Sequence, residues 1–284
     1  MMITVIIPAY NEENSIKNTV ETLCSHLHKK VDFEIIVVND GSTDQTLAIG
    51  KKLDCKIISH PHNLGYGKSL KTGIINSKFD TIVIVDCDGS YPINEVRNLI
   101  SEFNKGYDMV VAARTGPKYK ESFLKWPLRI LLRFLVEWTA GRSIPDINSG
   151  LRVFKKNDSL IFLDKLCNTF SFTTSLTLAY MLTGRFVKYV EVDYEKRIGK
   201  THVKLWRDSL RTLQFIIQAI VLYNPLKIFL LITIICFMTA ILLFVLNFIT
   251  SLDLIVPSFL LLSTGILNFG IGLISDLIRQ TNIK

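Results

Sequence analysis

The 284-residue chain has little cysteine: Cys24, Cys55, Cys87, Cys167 and Cys236 are odd in number and scattered. They lack metal-ligand spacing, so they read as buried or incidental thiols in a reducing compartment. His26, His28 and His60 lack such spacing as well and take no role. No basic leader or small-residue cleavage site accompanies the opening run MMITVIIPAY, whose apolar part has strand length, so it reads as a strand and not a signal peptide. A phosphate-binding Gly-x-x-x-x-Gly-Lys-Ser loop is also missing. Gly65-Tyr66-Gly67-Lys68-Ser69 would need glycine at 62, where His62 stands.

Charge is absent from two long stretches, Ile228–Ile249 and Leu254–Ser275. Each approaches the ~20 residues that cross a bilayer. The link Thr250–Asp253 carries only an acid, while basic residues precede the first stretch (Lys200, Lys204, Arg207, Arg211, Lys227) and follow the second (Arg279, Lys284). Positive charge on the inside then places both termini in the cytoplasm of a two-span, multi-pass membrane protein. Asn247, Pro257 and Asn268 are tolerated there if packed against the partner span or another protomer, so a homo-oligomer formed through these helices is an expectation.

What the chain has in quantity is apolar residues, 49% in all, and a net charge of +8. Mean hydropathy is +0.32, high for a soluble enzyme. A basic chain favours nucleic acid, anionic lipid or phosphorylated substrates. The basic residues cluster beside the apolar stretches, so lipid bilayer is the expected partner and nucleic acid is not.

Strands are predicted at 3–8, Glu34–Val38, Lys56–Ser59, Thr81–Val85 and Asp108–Ala112, and helices at Asn11–Cys24, after Asp44, after Gly65 and at Asn94–Asn104. Asn11 or Asn14 is the expected cap of the first helix, with Glu12 and Glu13 in its first turn. The alternation argues for an α/β fold with a mainly parallel sheet, whose ligands bind beyond the carboxyl ends of the strands. Asp40, Asp86, Asp88 and Arg114 all fall just past a strand.

The centre of this pattern is Thr81–Pro92, TIVIVDCDGSYP, an apolar strand running into Asp86 and Asp88. In extended backbone both carboxylates face one side. Mg²⁺ or Mn²⁺ suits such a pair, completing its shell with substrate phosphates. The plainer alternative is an exposed Asp-x-Asp-Gly turn. After residue 114, Lys125, Arg129 and Arg133 recur every fourth residue in an otherwise apolar helix bracketed by Trp126 and Trp138. Residues 204–218 repeat the pattern with Lys204, Arg207 and Arg211. Such helices lie in a membrane interface, unless they are core helices with ordinary solvated lysines.

Pro8-Ala9-Tyr10-Asn11-Glu12, Asn39-Asp40-Gly41-Ser42, Asp86-Cys87-Asp88, Asp146-Ile147-Asn148-Ser149-Gly150-Leu151-Arg152 and Arg197-Ile198-Gly199-Lys200-Thr201-His202 come in order along residues 1–205. Together they resemble the family-two glycosyltransferases, of GT-A (Rossmann-like) fold. With two C-terminal spans they resemble the polyprenyl-phosphate branch, which includes dolichol-phosphate mannose synthase. The resemblance implies an enzyme moving a sugar, with inversion, from a nucleotide-sugar donor to dolichyl or undecaprenyl phosphate. It implies a cytoplasmic catalytic domain at 1–204 with an interfacial helix near 119–140, a juxtamembrane amphipathic helix at 205–225, and a two-span hairpin with tail at 226–284.

The same resemblance implies the residue roles. Asp40 accepts hydrogen bonds from nucleobase or ribose in a pocket lined by Pro8, Tyr10 and Glu12; it could equally cap the following helix, for which Asp44 is better placed. Gly67 borders the nucleotide, and Asp86 and Asp88, flanking Cys87, hold the metal against the diphosphate. Asp146 orients the acceptor or acts as base, with Asp88 and Arg129 also catalytic. Arg114, Arg129, Arg133, Ser149, Arg197, Lys200 and His202 bind acceptor or phosphate, since arginine forks suit phosphate. For Arg133 and Lys125 the alternative is anionic lipid. Two departures from the family pattern stand out: Ser90 replaces a frequent Gln two places past Asp88, and His202 stands where Lys is common, with Lys196 an alternative to Arg197. A processive polysaccharide synthase would carry Gln-x-x-Arg-Trp and more spans, and neither is here. A catalytically silent nucleotide-binding membrane subunit would not need Asp86 and Asp88.

Overall fold

A computed structural model describes residues 2–28, 31–116, 126–195, 205–250 and 252–281, with backbone alone at 126–129, 131, 132 and 205–212. The chain divides into two compact units, Met1–Phe215 and Ile216–Lys284.

The first unit is built on a seven-stranded sheet of order β3-β2-β1-β4-β6-β5-β7. Its strands are β1 (Met2–Ala9), β2 (Asp32–Asn39), β3 (Lys56–Ser59), β4 (Thr81–Ile84), β5 (Met109–Thr115), β6 (Arg152–Lys155) and β7 (Val187–Asp193). The mainly parallel arrangement read from the sequence is what is observed, with β6 antiparallel to both its neighbours, β4 and β5. The central strands are continuous apolar runs because both sheet faces are covered. Ile3, Val5, Ile35, Val83 and Val110 share a core with Val20 and Leu23 of α1 (Ile16–Leu27) and Leu99 and Phe103 of α4 (Glu95–Phe103). The intervening residues of each strand point to the opposite face, because strand side chains alternate. On that side Gly73 of α3 (Tyr66–Asn76) abuts Ile6, and Tyr180 of α7 (Phe172–Leu182) meets Phe154 edge-on at 6.5 Å and Phe162 at a tilt at 5.8 Å.

Several sequence expectations need correction. The first helix begins at Ile16 and not at Asn11, and neither Asn11, Glu12 nor Glu13 lies in it. Asn11 instead adopts a left-handed φ of 57°, a conformation asparagine tolerates. From there its Oδ1 accepts the Thr43 N–H at 2.8 Å, and the Glu12 N–H reaches Thr46 Oγ1 at 2.8 Å. The polar turn after β1 is thus stitched to the one after β2, which removes it from the helix. The N-cap position of α2 (Thr46–Gly50) is Gln45 and not Asp44, whose Oδ1 nevertheless accepts the Thr46 N–H at 2.9 Å. Arg114 lies within β5, not beyond it. Strands β6 and β7 had no counterpart in the sequence reading.

Helix α5 (Trp126–Ala140) follows, and α8 (Leu205–Tyr223) straddles the division between units. In the second unit α9 (Pro225–Ile249) and α10 (Ile255–Thr281) form a hairpin, both long and apolar enough to cross a membrane. Small residues bring them together: a Cβ on Gly265 would meet Phe237 at 2.5 Å, and one on Gly272 would meet Phe229 at 2.7 Å. Asn247 accepts the Leu254 N–H at 2.9 Å across the hairpin turn, and Asn268 bonds the Thr264 carbonyl of its own helix at 3.1 Å.

Candidate functional site

The site residues gather at one edge of the sheet, where β1, β2, β4 and β5 end. Because β6 runs the other way, with Arg152 opposite Ile84, the segment leading into it, 146–151, arrives at that same edge.

Strand β4 stops at Ile84, and Cys87 and Asp88 form a turn. Strand alternation therefore does not align the two carboxylates as the sequence predicts; the turn presents them. Cys87 between them is buried in the core, where burial first and the Glu12 carboxylate second push its thiol far up. It is a packing residue between the two carboxylates. Asp88 is itself buried and its Oδ1 accepts the Ser90 N–H at 3.0 Å and the Ser90 hydroxyl. Ser90, the departure from the family pattern, thus holds Asp88. Asp86 Oδ1 accepts the Tyr66 hydroxyl at 2.8 Å. Its Oδ2 lies against Gly150, where any Cβ would come within 2.0 Å. Burial foremost, then the Asp86 charge, raise Tyr66 well above a usual phenol, so it stays a donor.

Among the described residues no group of three or more His, Cys, Asp or Glu is arranged to hold a metal by itself. The donor set fits a hard cation all the same. Two carboxylates of fixed orientation, with the Cys87 thiol between them buried in the core, are what Mg²⁺ or Mn²⁺ takes when substrate phosphates complete its shell.

Arg114 and Asp146, assigned separate roles from the sequence, are partners. Arg114 Nε and Nη2 fork onto Asp146 Oδ2 and Oδ1 at 2.6 and 2.8 Å, and the Asn148 N–H caps Oδ1 at 3.1 Å. The guanidinium also lies over the Tyr194 ring at 5.5 Å. Ser149 is fully buried, 3.1 Å from the Tyr91 hydroxyl, which also takes the Gly150 N–H at 2.9 Å. Its hydroxyl is therefore a structural contact and not an open acceptor contact. Arg152 is 0% exposed and donates to the Thr173 carbonyl at 3.0 Å, to Thr177 Oγ1 at 3.1 Å and to the Ser149 carbonyl.

Asp40 accepts three hydrogen bonds from the protein: His60 Nδ1 at 2.7 Å, and the Leu64 and Gly65 N–H groups at 2.9 and 2.8 Å. It fixes the loop between β3 and α3. His60, given no role from the sequence, is its half-buried partner and also reaches Thr72 at 3.0 Å. Pro8 is buried inside β1, while Tyr10 and Glu12 lie in the turn beyond it. Glu12 accepts the Ser15 hydroxyl at 2.9 Å. Gly67 is buried, and a Cβ there would sit 2.3 Å from the Cys167 carbonyl, so its smallness serves packing.

Arg133 is exposed on α5 and pairs with Glu137 at 3.1 Å. Arg129 lies on α5 with its side chain outside the described residues, as are Lys125, Arg197, Lys200 and His202 altogether. Ile130, Phe134 and Trp138 form an exposed apolar row one helical turn apart. A cavity of about 550 Å³ opens near this edge, but Glu95, Glu191, Asp193 and Glu195 line it. Four carboxylates suit a nucleotide diphosphate poorly.

The sequence reading missed Tyr66, Tyr91, His60 and Arg152 as parts of the site. Arg152 had a weak signal, a cation set between Leu151 and Val153-Phe154. The hydroxyls and His60 had none, because their partners are remote in sequence.

The fold is shared with glucosyl-3-phosphoglycerate synthase from Mycobacterium tuberculosis, solved in complex with Mn²⁺, uridine diphosphate and glucosyl-3-phosphoglycerate: TM-score 0.62 and 19% identity over 77% of this chain and 79% of that one. An undecaprenyl-phosphate 4-deoxy-4-formamido-L-arabinose transferase of Pseudomonas fluorescens is 27% identical over 62% of this chain and 56% of its own length. A dolichyl-phosphate beta-glucosyltransferase of Trichomonas vaginalis is 26% identical over 69% of this chain and 67% of its own. The GtrB C-terminal hairpin matches residues 224–281. The glycosyl transferase family 2 model matches residues 4–169, and the chain belongs to that family.

Proposed function

We propose that the chain transfers a sugar, with inversion, from a nucleotide-sugar to polyprenyl phosphate, dolichyl or undecaprenyl, at the cytoplasmic membrane face. The observation that carries this reading is the Asp86-Cys87-Asp88 turn at the end of β4, each carboxylate held by its own hydroxyl donor. The hairpin match and the acceptors named in the relatives of Pseudomonas and Trichomonas support the lipid half.

In this reading Asp86 and Asp88 bind Mg²⁺ or Mn²⁺; the mycobacterial neighbour was solved in complex with Mn²⁺. Such a cation offsets charge on the departing nucleoside diphosphate. Tyr10, Glu12 and the loop fixed by Asp40 receive the nucleoside. The acceptor phosphate, with a second pKa of about 6, is largely dianionic at neutral pH and is itself the nucleophile. It needs orientation more than deprotonation. Asp146 provides this by holding the Arg114 fork, and its pairing gives no support to a role as base. Arg129, Arg133, Arg197, Lys200 and His202 remain the candidates to gather the lipid phosphate. The exposed row Ile130, Phe134 and Trp138, beside Arg133, supports α5 as an interfacial helix. Both termini lie in the cytoplasm by the charge pattern, and the spans are sites for self-association.

Membranes containing the protein, given labelled nucleotide-sugars, are expected to yield a chloroform-soluble, acid-labile product. Asp88→Asn is expected to lower that yield roughly a thousandfold, the several kcal/mol of a lost metal contribution. Undiminished transfer by Asp88→Asn would instead favour a subunit that only binds nucleotide.

A further inference from the structure

Tyr66 lies in the Gly65-Tyr66-Gly67-Lys68-Ser69 run, which from sequence only resembles a phosphate loop. Three restraints act on it. Its backbone is locked at the start of α3: Gly65 takes a φ of +102°, and Cβ atoms on Gly65 and Gly67 would meet the Asn168 and Cys167 carbonyls at 2.7 and 2.3 Å. The Lys68 N–H donates to that same Asn168 carbonyl at 3.0 Å. Its ring stacks on Phe170, 5.8 Å between centroids and 17° between planes. Its hydroxyl then ends 2.8 Å from Asp86 Oδ1.

On its other side the Asp86 carboxylate abuts Gly150. That glycine is in turn held by the Tyr91 hydroxyl. A carboxylate gripped from both sides has little rotational freedom to lose when a cation arrives, and partners of this kind set ligand orientation and basicity.

We propose that Tyr66 is a positioning residue for the metal-binding carboxylate of Asp86, held in place by the loop 167–170 that packs on the start of α3. The proposal rests on the reading of Asp86 as a metal ligand. It gives the glycines at 65 and 67 a task at one remove from chemistry: they let the 167–170 loop approach closely enough to aim the phenol.

The test is Mn²⁺ titration of the full-length protein in detergent with uridine diphosphate present, free Mn²⁺ being read by electron paramagnetic resonance. Tyr66→Phe keeps the ring and removes the donor. It is expected to weaken Mn²⁺ binding about 10-fold, with the circular-dichroism spectrum unchanged. Asp86→Asn is expected to abolish Mn²⁺ binding at these concentrations, as the loss of a direct ligand requires. Wild-type Mn²⁺ affinity in Tyr66→Phe overturns the proposal and leaves the metal site standing. Wild-type affinity in Asp86→Asn overturns both. If Tyr66→Phe alters the spectrum, Phe170→Ala substitutes for it, weaker Mn²⁺ binding supporting the proposal and unchanged binding overturning it.

Discussion

Helices α7 and α9 are both apolar along their length, and their surroundings are opposite. Every residue of α7 from Phe172 to Met181 is buried within the first unit. In the most apolar windows of α9 and α10, 11% and 17% of residues are buried. Hydropathy does not separate the two cases; burial does. The apolar side chains of α7 are solvated by the sheet and its loops. Those of the hairpin, among them Ile235, Met238, Ile241 and Phe248, face outward in a density that water wets poorly. Beyond Pro225 at the start of α9, what the hairpin buries is small: Thr233, Ala240, Ser258, Gly265 and Gly272. Close backbone approach holds such a pair together where no hydrophobic drive exists between helices.

Two paired substitutions would break that contrast if it is wrong. Leu176→Ala in α7 removes a side chain that is 0% exposed and is expected to cost about 2–5 kcal/mol. Leu260→Ala in α10, at 64% exposure, is expected to stay within about 0.5 kcal/mol. Unfolding of both variants in detergent measures this, and equal losses would mean the two helices share one kind of environment. Charge sharpens the comparison further. Met238 in α9 and Ile161 in the first unit are both 63% exposed. Met238→Arg is expected to cost about 2.5–3.5 kcal/mol of insertion, as for a charge deep in a bilayer. Ile161→Arg is expected to be nearly neutral, within about 0.5 kcal/mol. Retention in carbonate-washed membranes reads the difference, and matched behaviour would sink the membrane assignment of the hairpin.

The same contrast governs how much was legible from sequence. Strands β1 to β5 and the hairpin announce themselves as apolar runs of two lengths, so both were readable, as were Asp86 and Asp88 at the end of the central run. The clustering of site residues at one edge followed from topology. What could not be read was pairing. Arg114 meets Asp146 across 32 positions and Tyr66 meets Asp86 across 20, and nothing local in either segment marks the partner. The first helix was misplaced for a related reason. Asn11, Glu12 and Glu13 are plausible helix-start residues whose hydrogen bonds go instead to the turn at 42–46. Tertiary contacts there outweigh local preference.

The smallest expected effect lies where the two environments come closest in character, on α5, which belongs to the first unit yet exposes Phe134 and Trp138. Glu137 there accepts the Ile144 N–H at 2.8 Å and Arg133 Nε at 3.1 Å, tying the helix end to the loop beyond it. Burial tends to raise the Glu137 pKa, but these donors prevail and hold it below its ordinary value of 4.5. A depressed folded-state value means the contribution to stability is fully present above the ordinary glutamate range and is lost as pH falls through the folded value. Glu137→Gln is therefore expected to cost about 0.2–1 kcal/mol at neutral pH, and the difference from wild type should vanish in acid below that value. Unfolding midpoints measured from neutral pH down into the acid range give the curve. A gap between variant and wild type that persists in acid would show that packing at the helix end, and not the carboxylate, does the holding.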